Sequence, residues 1–239
     1  VMKIYSQGDQ AIVIAVEKEV SKNVTTELIA VRNHLLKKDL PFITEIVPTE
    51  SDMMICYDAR DMIKHHNITS PFQYMKALVT SIQEEIKQLE MNKDESTTYE
   101  IPIIYGDEFG PDLQDLLEYY KITKDEFIQL HSDNAYFVSM MGYAPGFPYL
   151  TGMNEALYVN HTSNKKKLVT AGSVIIEGKK CGIVTTDTYN DWLVIGYTPM
   201  TLFTPEQEDF TLLKLGDNVT FKPEKRKDIE LGEFKPCQS

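Results

Sequence analysis

A polar stretch at residues 91–98, MNKDESTT, divides the sequence into two parts with different patterns. Before it, β-branched runs alternate with segments whose apolar residues recur every three or four positions, which predicts strands alternating with helices. After it, most of the chain consists of brief β-type runs separated by Gly and Pro. The chain has 239 residues, more than the usual single domain of about 100–150 residues. We therefore predict two domains, residues 1–92 and residues 93–239.

The first domain is predicted to follow the order strand, strand, helix, strand, strand, helix. Residues 2–6 and 11–16 are rich in β-branched side chains, and Ser21 can cap the helix that follows. The segments FITEIV and MMICY predict two further strands, and a second helix is predicted from Pro71 towards Met91. The predicted apolar faces are Val24, Leu28, Val31 and Leu35 in the first helix and Tyr74, Leu78, Ile82 and Ile86 in the second. We expect a small α/β sandwich, with four strands covered on one face by two helices.

The second domain begins with two helical patterns, Leu113–Tyr120 and Lys124–Leu130, and continues as short β-type runs. Four such runs are AYFVSMM, SVIIEG, CGIVTT and WLVIGY. Many short strands punctuated by Gly and Pro indicate a sandwich or a barrel with a few helices at its edge. The whole chain is therefore expected to be of the α+β class.

The charge balance and the cysteines restrict the class of partner and the compartment. With 24 Lys and Arg against 36 Asp and Glu, the net charge of -12 repels phosphate backbones and excludes nucleic acid as an expected partner. The one basic cluster, Lys165–Lys167, is expected to be a solvated loop. Three widely spaced cysteines, no apolar run of about 18 residues and no signal-peptide pattern predict a cytoplasmic protein without a membrane span. Val1, ahead of Met2, is expected to be a remnant of expression.

Most templates for a self-contained active site are absent from the sequence. It holds no phosphate-binding Gly-rich loop, no dinucleotide fingerprint and no His-Glu-x-x-His helix, so neither ATP nor zinc is expected to bind through a standard motif. Of the five histidines, only His131, at the end of an amphipathic segment, is a candidate for a special role. No arginine lies between residues 97 and 222, which excludes a bidentate guanidinium clamp for an anion there. Lys166, Lys179 and Lys180 remain as point charges or as exposed loop lysines.

The stretch MMGYAPGFPYLTGM, residues 140–153, places three glycines and two prolines around three aromatic residues. Glycine permits close backbone approach and proline fixes the chain direction, so this loop can form one wall of a pocket. It can equally be a structural loop that plugs the end of a barrel. Because Phe147 stands between Gly146 and Pro148, in a loop with a preset backbone, we expect it to face a pocket or a subunit interface, outside the barrel core.

Four motifs appear in order: YGDEFGPDL (105–113), APGFPYL (144–150), AGSV (171–174) and IGYTP (195–199). Together they resemble the family that contains the B subunit of 5-oxoprolinase, the first carboxyltransferase subdomain of urea amidolyase and the Kip-type inhibitor of a sporulation histidine kinase. The resemblance is strong over residues 97–222. It implies a small N-terminal α/β domain followed by a cyclophilin-like β-barrel.

The resemblance implies a subunit that is inactive alone. In an ATP-dependent 5-oxoprolinase, this chain would act as the B subunit with a homologous second barrel subunit, of the C type, and with a LamB-type A subunit, to open 5-oxoproline to L-glutamate. ATP is implied for the whole complex, and no cofactor is expected on this chain. The alternative is a Kip-type protein that binds a histidine kinase and inhibits its autophosphorylation. Prolyl isomerase activity is disfavoured because a barrel fold alone does not carry that function.

The resemblance also implies a substrate or interface pocket, without an assigned catalytic residue and without a metal. The residues expected at this pocket are Pro145, Gly146, Phe147, Pro148, Lys166, Ala171, Gly172, Lys180, Gly182, Trp192, Thr198 and Pro199.

The sequence departs from the family pattern around the expected pocket. Residues 164–166 replace Thr-Pro-Arg, residues 180–185 replace Gln-Thr-Gly-Ile-Tyr-Pro, and residues 188–191 replace Ser-Pro-Gly-Gly. Tyr197 stands where the family has the arginine of Gly-Arg-Thr-Pro. The loss of both guanidinium groups removes the planar anion recognition that they offer. A retained scaffold with altered polar residues favours the binding alternative.

Overall fold

The computed structural model of the chain describes residues 2–16, 21–88, 97–163, 166–207, 209–232 and 234–238. Over these ranges the fold is mixed α/β and divides into two compact units, residues 1–95 and residues 96–239. The predicted domain boundary, between residues 92 and 93, lies outside the described residues. No helix in the described ranges is both long enough and apolar enough to cross a membrane.

The first unit contains one antiparallel sheet and three helices. Its elements are β1 (Met2–Ser6), β2 (Ala11–Val16), α1 (Lys22–Lys37), β3 (Ile43–Pro48), β4 (Asp52–Tyr57), α2 (Ala59–His65) and α3 (Pro71–Gln88). The strand order is β1-β2-β4-β3, and every neighbouring pair is antiparallel. The sequence pattern did not predict α2, because its seven residues bury only Met62 and give no apolar periodicity.

The helix α1 begins as its sequence predicts. The hydroxyl of Ser21 accepts a hydrogen bond from the amide of Val24 at 3.3 Å, which satisfies one of the free amides of the first turn. The whole predicted face of α1 is buried, in one cluster with side chains of the sheet, among them Ile12, Ile14 and Ile55.

The predicted face of α3 was wrong in its first half. Met75 and Val79 are buried, whereas Tyr74 is 39% exposed and Leu78 is only partly buried. Both pairs fit a helical spacing with Ile82, so the period alone could not choose between them. The apolar thioether of Met75 fills the core, and the amphipathic ring of Tyr74 lies at its edge, 5.9 Å from the ring centroid of Phe42.

The second unit is a closed barrel of seven strands with two helices. Its elements are β5 (Thr98–Tyr105), α4 (Leu113–Tyr120), α5 (Lys124–Ser132), β6 (Tyr136–Met141), β7 (Pro148–Thr151), β8 (Lys167–Val169), β9 (Ser173–Glu177), β10 (Lys180–Ile183), β11 (Thr188–Asn190), β12 (Leu193–Tyr197) and β13 (Asn218–Pro223). The barrel order is β10-β7-β6-β13-β5-β12-β9, and the β9–β10 pair closes the ring. The strands β8 and β11 form a separate two-stranded sheet. A barrel, and not a sandwich, is therefore the architecture of this part.

The first and last barrel strands are parallel neighbours. Thr98 lies opposite Asn218, and the register continues along both strands. The carboxylate of Asp217 holds this junction, because it accepts hydrogen bonds from the amides of Thr97 (3.1 Å) and Lys214 (2.7 Å). The other barrel pairs are antiparallel.

The barrel wall buries side chains on both of its faces. Successive residues of a strand point to opposite faces, so Val174 and Ile176 of β9 belong to one cluster and Ile175 to another. We call the larger cluster, which takes side chains from all seven strands and from α4 and α5, the inner core. The second we call the outer cluster, and its buried members are Phe147, Tyr149, Val169, Ile175, Val184, Trp192 and Val194. The candidate residues of the sequence lie mainly around the outer cluster.

Candidate functional site

The loop at residues 142–147, within the Gly- and Pro-rich stretch, is a tight turn that fixes the position of Phe147. The amide of Phe147 donates to the carbonyl of Ala144, and the carbonyl of Phe147 accepts from the amide of Gly142, both at 3.1 Å. Gly146 has a φ of 72°, and a Cβ at this position would lie 2.9 Å from the Cβ of Phe203. Both the backbone conformation and the close approach therefore require glycine.

Phe147 is fully buried, so the prediction that it faces a pocket is wrong. Its ring centroid lies 4.9 Å from that of Tyr149 and 5.3 Å from that of Trp192. The ring fills the space above Gly182 of β10, where a Cβ would lie 3.1 Å from the ring. Phe147 lies in the outer cluster and not in the inner core. The loop sequence predicted that the ring of Phe147 projects away from the inner core. It did not show that Gly182, on the neighbouring strand, leaves the space in which the ring is buried.

The edge of the outer cluster carries the aromatic and cationic groups nearest to solvent. Trp192 is 4% exposed, and its ring is covered edge-on by Tyr143 at 4.7 Å. Tyr143 is largely exposed, has a φ of 66°, and its hydroxyl lies 2.9 Å from that of Thr188. The ammonium of Lys180 lies over the ring of Tyr149, 5.1 Å from its centroid. This cation–π geometry holds one positive charge at the rim of the cluster.

The AGSV and IGYTP motifs meet at Gly172. Its φ is 88°, and a Cβ there would lie 2.4 Å from the ring of Tyr197 and 2.6 Å from the carbonyl oxygen of Thr198. The carbonyl of Gly172 accepts from the amide of Thr198 at 2.9 Å, and its amide donates to Val184 at 2.7 Å. Thr198 is buried, and the next residue, Pro199, is half-buried. The glycine lets two loops approach more closely than any side chain would permit.

Two residues that the sequence did not single out join the motif loops. The hydroxyl of Thr185 donates to the carbonyl of Pro145 at 2.8 Å. The carboxylate of Asp187 accepts from the amide of Ala171 at 2.9 Å. The two partners are remote in the sequence, so no local residue pattern could have identified these contacts.

The YGDEFGPDL motif anchors α4 to β8 through a buried ion pair and to β12 through a hydrogen bond. The carboxylate of Asp112 lies 2.8 Å from the ammonium of Lys167 and accepts from the amide of Val194 at 2.7 Å. The ammonium of Lys167 also donates to the carbonyl of Trp192 at 2.8 Å. Lys167 is only 7% exposed, so the prediction of a solvated basic loop is wrong for this residue, whereas Lys166 is exposed.

Of the rest of that basic stretch, Lys165 lies outside the described residues, as does Asn164 at the altered Thr-Pro-Arg position. The burial of Lys167 depends on a carboxylate far away in the sequence. For this reason a local charge pattern could not indicate it.

His131 lies in the inner core within a polar cluster. Its Nδ1 is 2.7 Å from the hydroxyl of Tyr105, and its Nε2 is 3.5 Å from the Sγ of Cys181. The hydroxyl of Tyr136 donates to the carbonyl of His131 at 2.8 Å. Burial lowers the pKa of His131 to about 3 and raises the pKa of the Cys181 thiol. Both groups are therefore neutral at pH 7, and the thiol lacks the thiolate character of a nucleophile.

The candidate residues form two connected groups and not one open pocket. Phe147, Pro148, Gly182 and Trp192 are buried in the barrel wall, with Lys180 at its rim. The turn at Gly172 forms the second group, and the loop of Thr185 joins it to the first. The exposed candidates are Pro145, Lys166 and Ala171. Among the described residues, no group of three or more His, Cys, Asp or Glu is placed to hold a metal ion. The site thus offers shape, apolar contact and lysine charges.

Comparison with known proteins places this architecture in a family. The family described as "Carboxyltransferase domain, subdomain C and D" matches residues 2–213. The chain is similar to the B subunit of 5-oxoprolinase from Bacillus subtilis (strain 168), with 34% identity over 95% of this chain and 94% of that protein. It is also similar to the B subunit of 5-oxoprolinase from Escherichia coli O157:H7, with 29% identity over 93% of this chain and 96% of that protein.

Solved structures extend the comparison to the fold. An uncharacterized conserved protein of Pyrococcus horikoshii shares 30% identity with a TM-score of 0.53, over 94% of this chain and 99% of that one. The urea carboxylase of Kluyveromyces lactis shares the fold at 15% identity, with a TM-score of 0.67, over 95% of this chain and 22% of that one. The four motifs, the closed barrel and these matches agree, and the chain therefore belongs to the carboxyltransferase subdomain C and D family, together with the B subunits of 5-oxoprolinase.

Proposed function

We propose that this chain is the B subunit of an ATP-dependent 5-oxoprolinase, and that it contributes a shaped surface to a site which partner chains complete. The likeness to 5-oxoprolinase B subunits extends along almost the whole sequence, which supports this assignment. The reaction would be the opening of 5-oxoproline to L-glutamate. The partners would be a homologous barrel subunit of the C type and a LamB-type A subunit.

The observation that carries the proposal is that the two carboxylates which bind the outer cluster and the turn at Gly172 are already engaged, whereas Asp107 and Glu108 of the first motif are exposed. Asp112 binds Lys167 and the amide of Val194, and Asp187 binds the amide of Ala171. A carboxylate held in this way stabilises the fold and is not free to act as a general base. The acid–base groups of the reaction would therefore come from the partner chains, and ATP would be bound by the complex and not by this chain.

A cytoplasmic location fits this role. The three cysteines of the chain are free thiols: Cys56 and Cys237 are half-buried, and Cys181 is buried. Free thiols are ordinary in a reducing compartment.

The second candidate is inhibition of a histidine kinase by a Kip-type contact, and one observation favours it. Tyr197, at the position of a family arginine, is buried and packs against Phe109 and Phe234. An aromatic side chain in apolar surroundings replaces an anion-binding group there, so this position does not serve anion recognition, which a role in protein binding does not need.

Reconstitution from purified chains tests the first candidate. This chain is mixed with its C-type and A-type partners, and glutamate formation from 5-oxoproline is measured with and without ATP. We expect glutamate only when all three chains and ATP are present. An assembled three-chain complex that forms no glutamate would contradict the proposal. Autophosphorylation of a candidate kinase, measured with saturating protein, then tests the second candidate.

A matched pair of lysine variants tests the contribution of this chain to the site. Lys180→Ala removes the charge at the rim of the outer cluster and is expected to lower turnover of the complex. Lys225→Ala removes an exposed lysine outside the four motifs and is expected to leave turnover unchanged. Equal turnover of the complexes that contain the two variants would show that Lys180 does not contribute to the site.

A further inference from the structure

The end of the chain lies across the surface formed by three of the four motifs. We call residues 229–238 the C-terminal segment, of which residues 229–232 and 234–238 are described. The carbonyl and the amide of Gln238 form an antiparallel bridge with Leu168 of β8, at 2.6 and 3.1 Å. The hydroxyl of Thr170 donates to the carbonyl of Lys235 at 2.7 Å. The segment is thus hydrogen-bonded to the free edge of β8, the strand that pairs with β11 on its other side.

Every third residue of the C-terminal segment points into the protein. Leu231 is 9% exposed, the ring of Phe234 is half-buried, and Cys237 packs against the outer cluster. The Sγ of Cys237 lies 3.6 Å from the hydroxyl of Ser173. Of the described residues between them, Gly232, Lys235 and Pro236 are exposed. This alternation gives the segment one apolar face against the protein and one polar face against water.

Phe234 occupies the centre of the contact. Its ring centroid lies 4.6 Å from that of Phe109 and 4.8 Å from that of Tyr197. Phe109 belongs to the YGDEFGPDL motif and Tyr197 to the IGYTP motif, and the hydroxyl of Tyr197 donates to the carbonyl of Leu231 at 3.5 Å. Without the segment, the two rings and the edge of β8 would be open to solvent.

The balance of contacts indicates that the segment is docked but displaceable. Three apolar residues, Ile229, Leu231 and Phe234, hold this stretch of about ten residues together with a cysteine and a few hydrogen bonds. The entropy lost when the stretch is ordered offsets much of the free energy that these contacts contribute. Gly232, with a φ of 57°, lies near its middle. The stretch also follows the part of the chain that matches the family, which ends at residue 213.

We propose that the edge of β8 and the rings of Phe109 and Tyr197 form a groove for an extended peptide, and that the chain's own C-terminal segment is its reversible occupant. Addition of a strand to a free sheet edge is a general mode of peptide binding, in which backbone hydrogen bonds give affinity and side-chain pockets give specificity. Release of the segment exposes the surface on which three motifs meet. The proposal rests on these contacts alone and does not depend on the oxoprolinase assignment.

A full-length variant that loosens the segment tests the proposal. Phe234→Ala removes the central ring, and the Cys237 thiol is expected to react at least tenfold faster with a soluble disulfide reagent than in the wild type. The thiol of Cys56, in the first unit, serves as the internal reference. Phe210→Ala, at an exposed ring, is the matched control and is expected to change neither rate. An unchanged Cys237 rate in a folded Phe234→Ala variant would overturn the proposal.

A labelled peptide tests whether the groove binds a segment supplied in trans. The peptide carries residues 229–239 with the wild-type sequence, and its binding to full-length protein is measured by fluorescence anisotropy. We expect the Phe234→Ala protein to bind it at least tenfold more tightly than the wild type, whose groove is occupied. Absence of binding to both proteins would overturn the proposal. If Phe234→Ala does not fold, Leu231→Ala replaces it in both measurements.

Discussion

The inner core and the outer cluster lie on opposite faces of the same barrel wall, but they are built in different ways. The inner core takes apolar side chains from all seven strands, and its buried histidine is neutral. The outer cluster combines four strand residues with three that loops supply, Phe147, Val184 and Trp192. Glycines and a buried ion pair hold these loops in place.

This difference explains where the recognisable motifs lie. A core filled by alternating strand residues tolerates many combinations of apolar side chains of similar volume. A cluster to which loops contribute requires a particular residue wherever the loop backbone is left-handed or two chain segments touch, as at Gly146 and Gly172. The APGFPYL and AGSV motifs therefore contain residues that the construction of the outer wall requires.

The largest effect is expected from removing the ring that fills the outer cluster. Phe147→Ala should destabilise the protein by about 3–5 kcal/mol, because the ring is fully buried and Gly182 beneath it cannot fill the space. Urea unfolding measures this change. Tyr189→Ala, at a largely exposed ring, is the control and should change stability by about 0.5 kcal/mol or less. A loss below about 1 kcal/mol for Phe147→Ala would mean that the outer cluster does not behave as a core.

A somewhat smaller effect is expected from breaking the ion pair that holds the outer wall. Asp112→Asn leaves the ammonium of Lys167 buried without its carboxylate and should cost roughly 3 kcal/mol. Lys167→Met should cost a similar amount, and the double variant should recover part of the loss, because the remaining unpaired charge is gone. A double-mutant cycle by urea unfolding gives the coupling between the two residues. Additive losses would show that the two side chains act separately.

The smallest of the three expected effects on the free energy of unfolding comes from His131 in the inner core. It appears as a dependence of stability on pH. Burial lowers the pKa of His131 from 6.5 to about 3, so between these values the unfolded chain binds a proton that the folded chain does not. The stability contributed by His131 is complete above pH 6.5 and is lost as the pH falls towards 3, by about 1.4 kcal/mol per pH unit. The groups that face it, Tyr105, Tyr136 and Cys181, have pKa values raised by burial and do not titrate in this range.

Urea unfolding at pH 7 and pH 5 measures this dependence. The wild type should lose about 2 kcal/mol more than His131→Gln over this interval. His161→Gln, at an exposed histidine, should lose as much as the wild type. Equal losses of stability in the wild type and in His131→Gln would show that protonation of His131 does not destabilise the folded chain.

The sequence predicted most of the elements whose pattern is local. The strands of the first unit, α1 with its Ser21 cap, and both helices of the second unit follow from periodicity and capping residues, which depend on neighbours within a few positions. The closed barrel was one of the two architectures that the short strands allowed. The three-residue strands β8 and β11 escaped prediction, because they are too short to show an alternation.

The errors at the site have a common physical origin. Phe147 was expected at a pocket and is buried, and Lys167 was expected in solvent and is buried. In each case the deciding partner is remote in the sequence, Gly182 for the ring and Asp112 for the ammonium. Local residue patterns show which side chains a loop carries, but only the fold shows which remote residues those side chains contact.

The parallel pairing of β5 with β13 has a consequence for synthesis of the chain. Residues 98–103 emerge from the ribosome long before residues 218–223, with which they pair. Until residues 218–223 are made, β5 lacks a partner on at least one edge, and β6 lacks the same partner, β13. Exposed strand edges are sites of aggregation, and late closure of a sheet prolongs the exposure. A chain that ends before residue 218 therefore has an open sheet, and we expect the second unit to be most prone to aggregation until residues 218–223 have been synthesised.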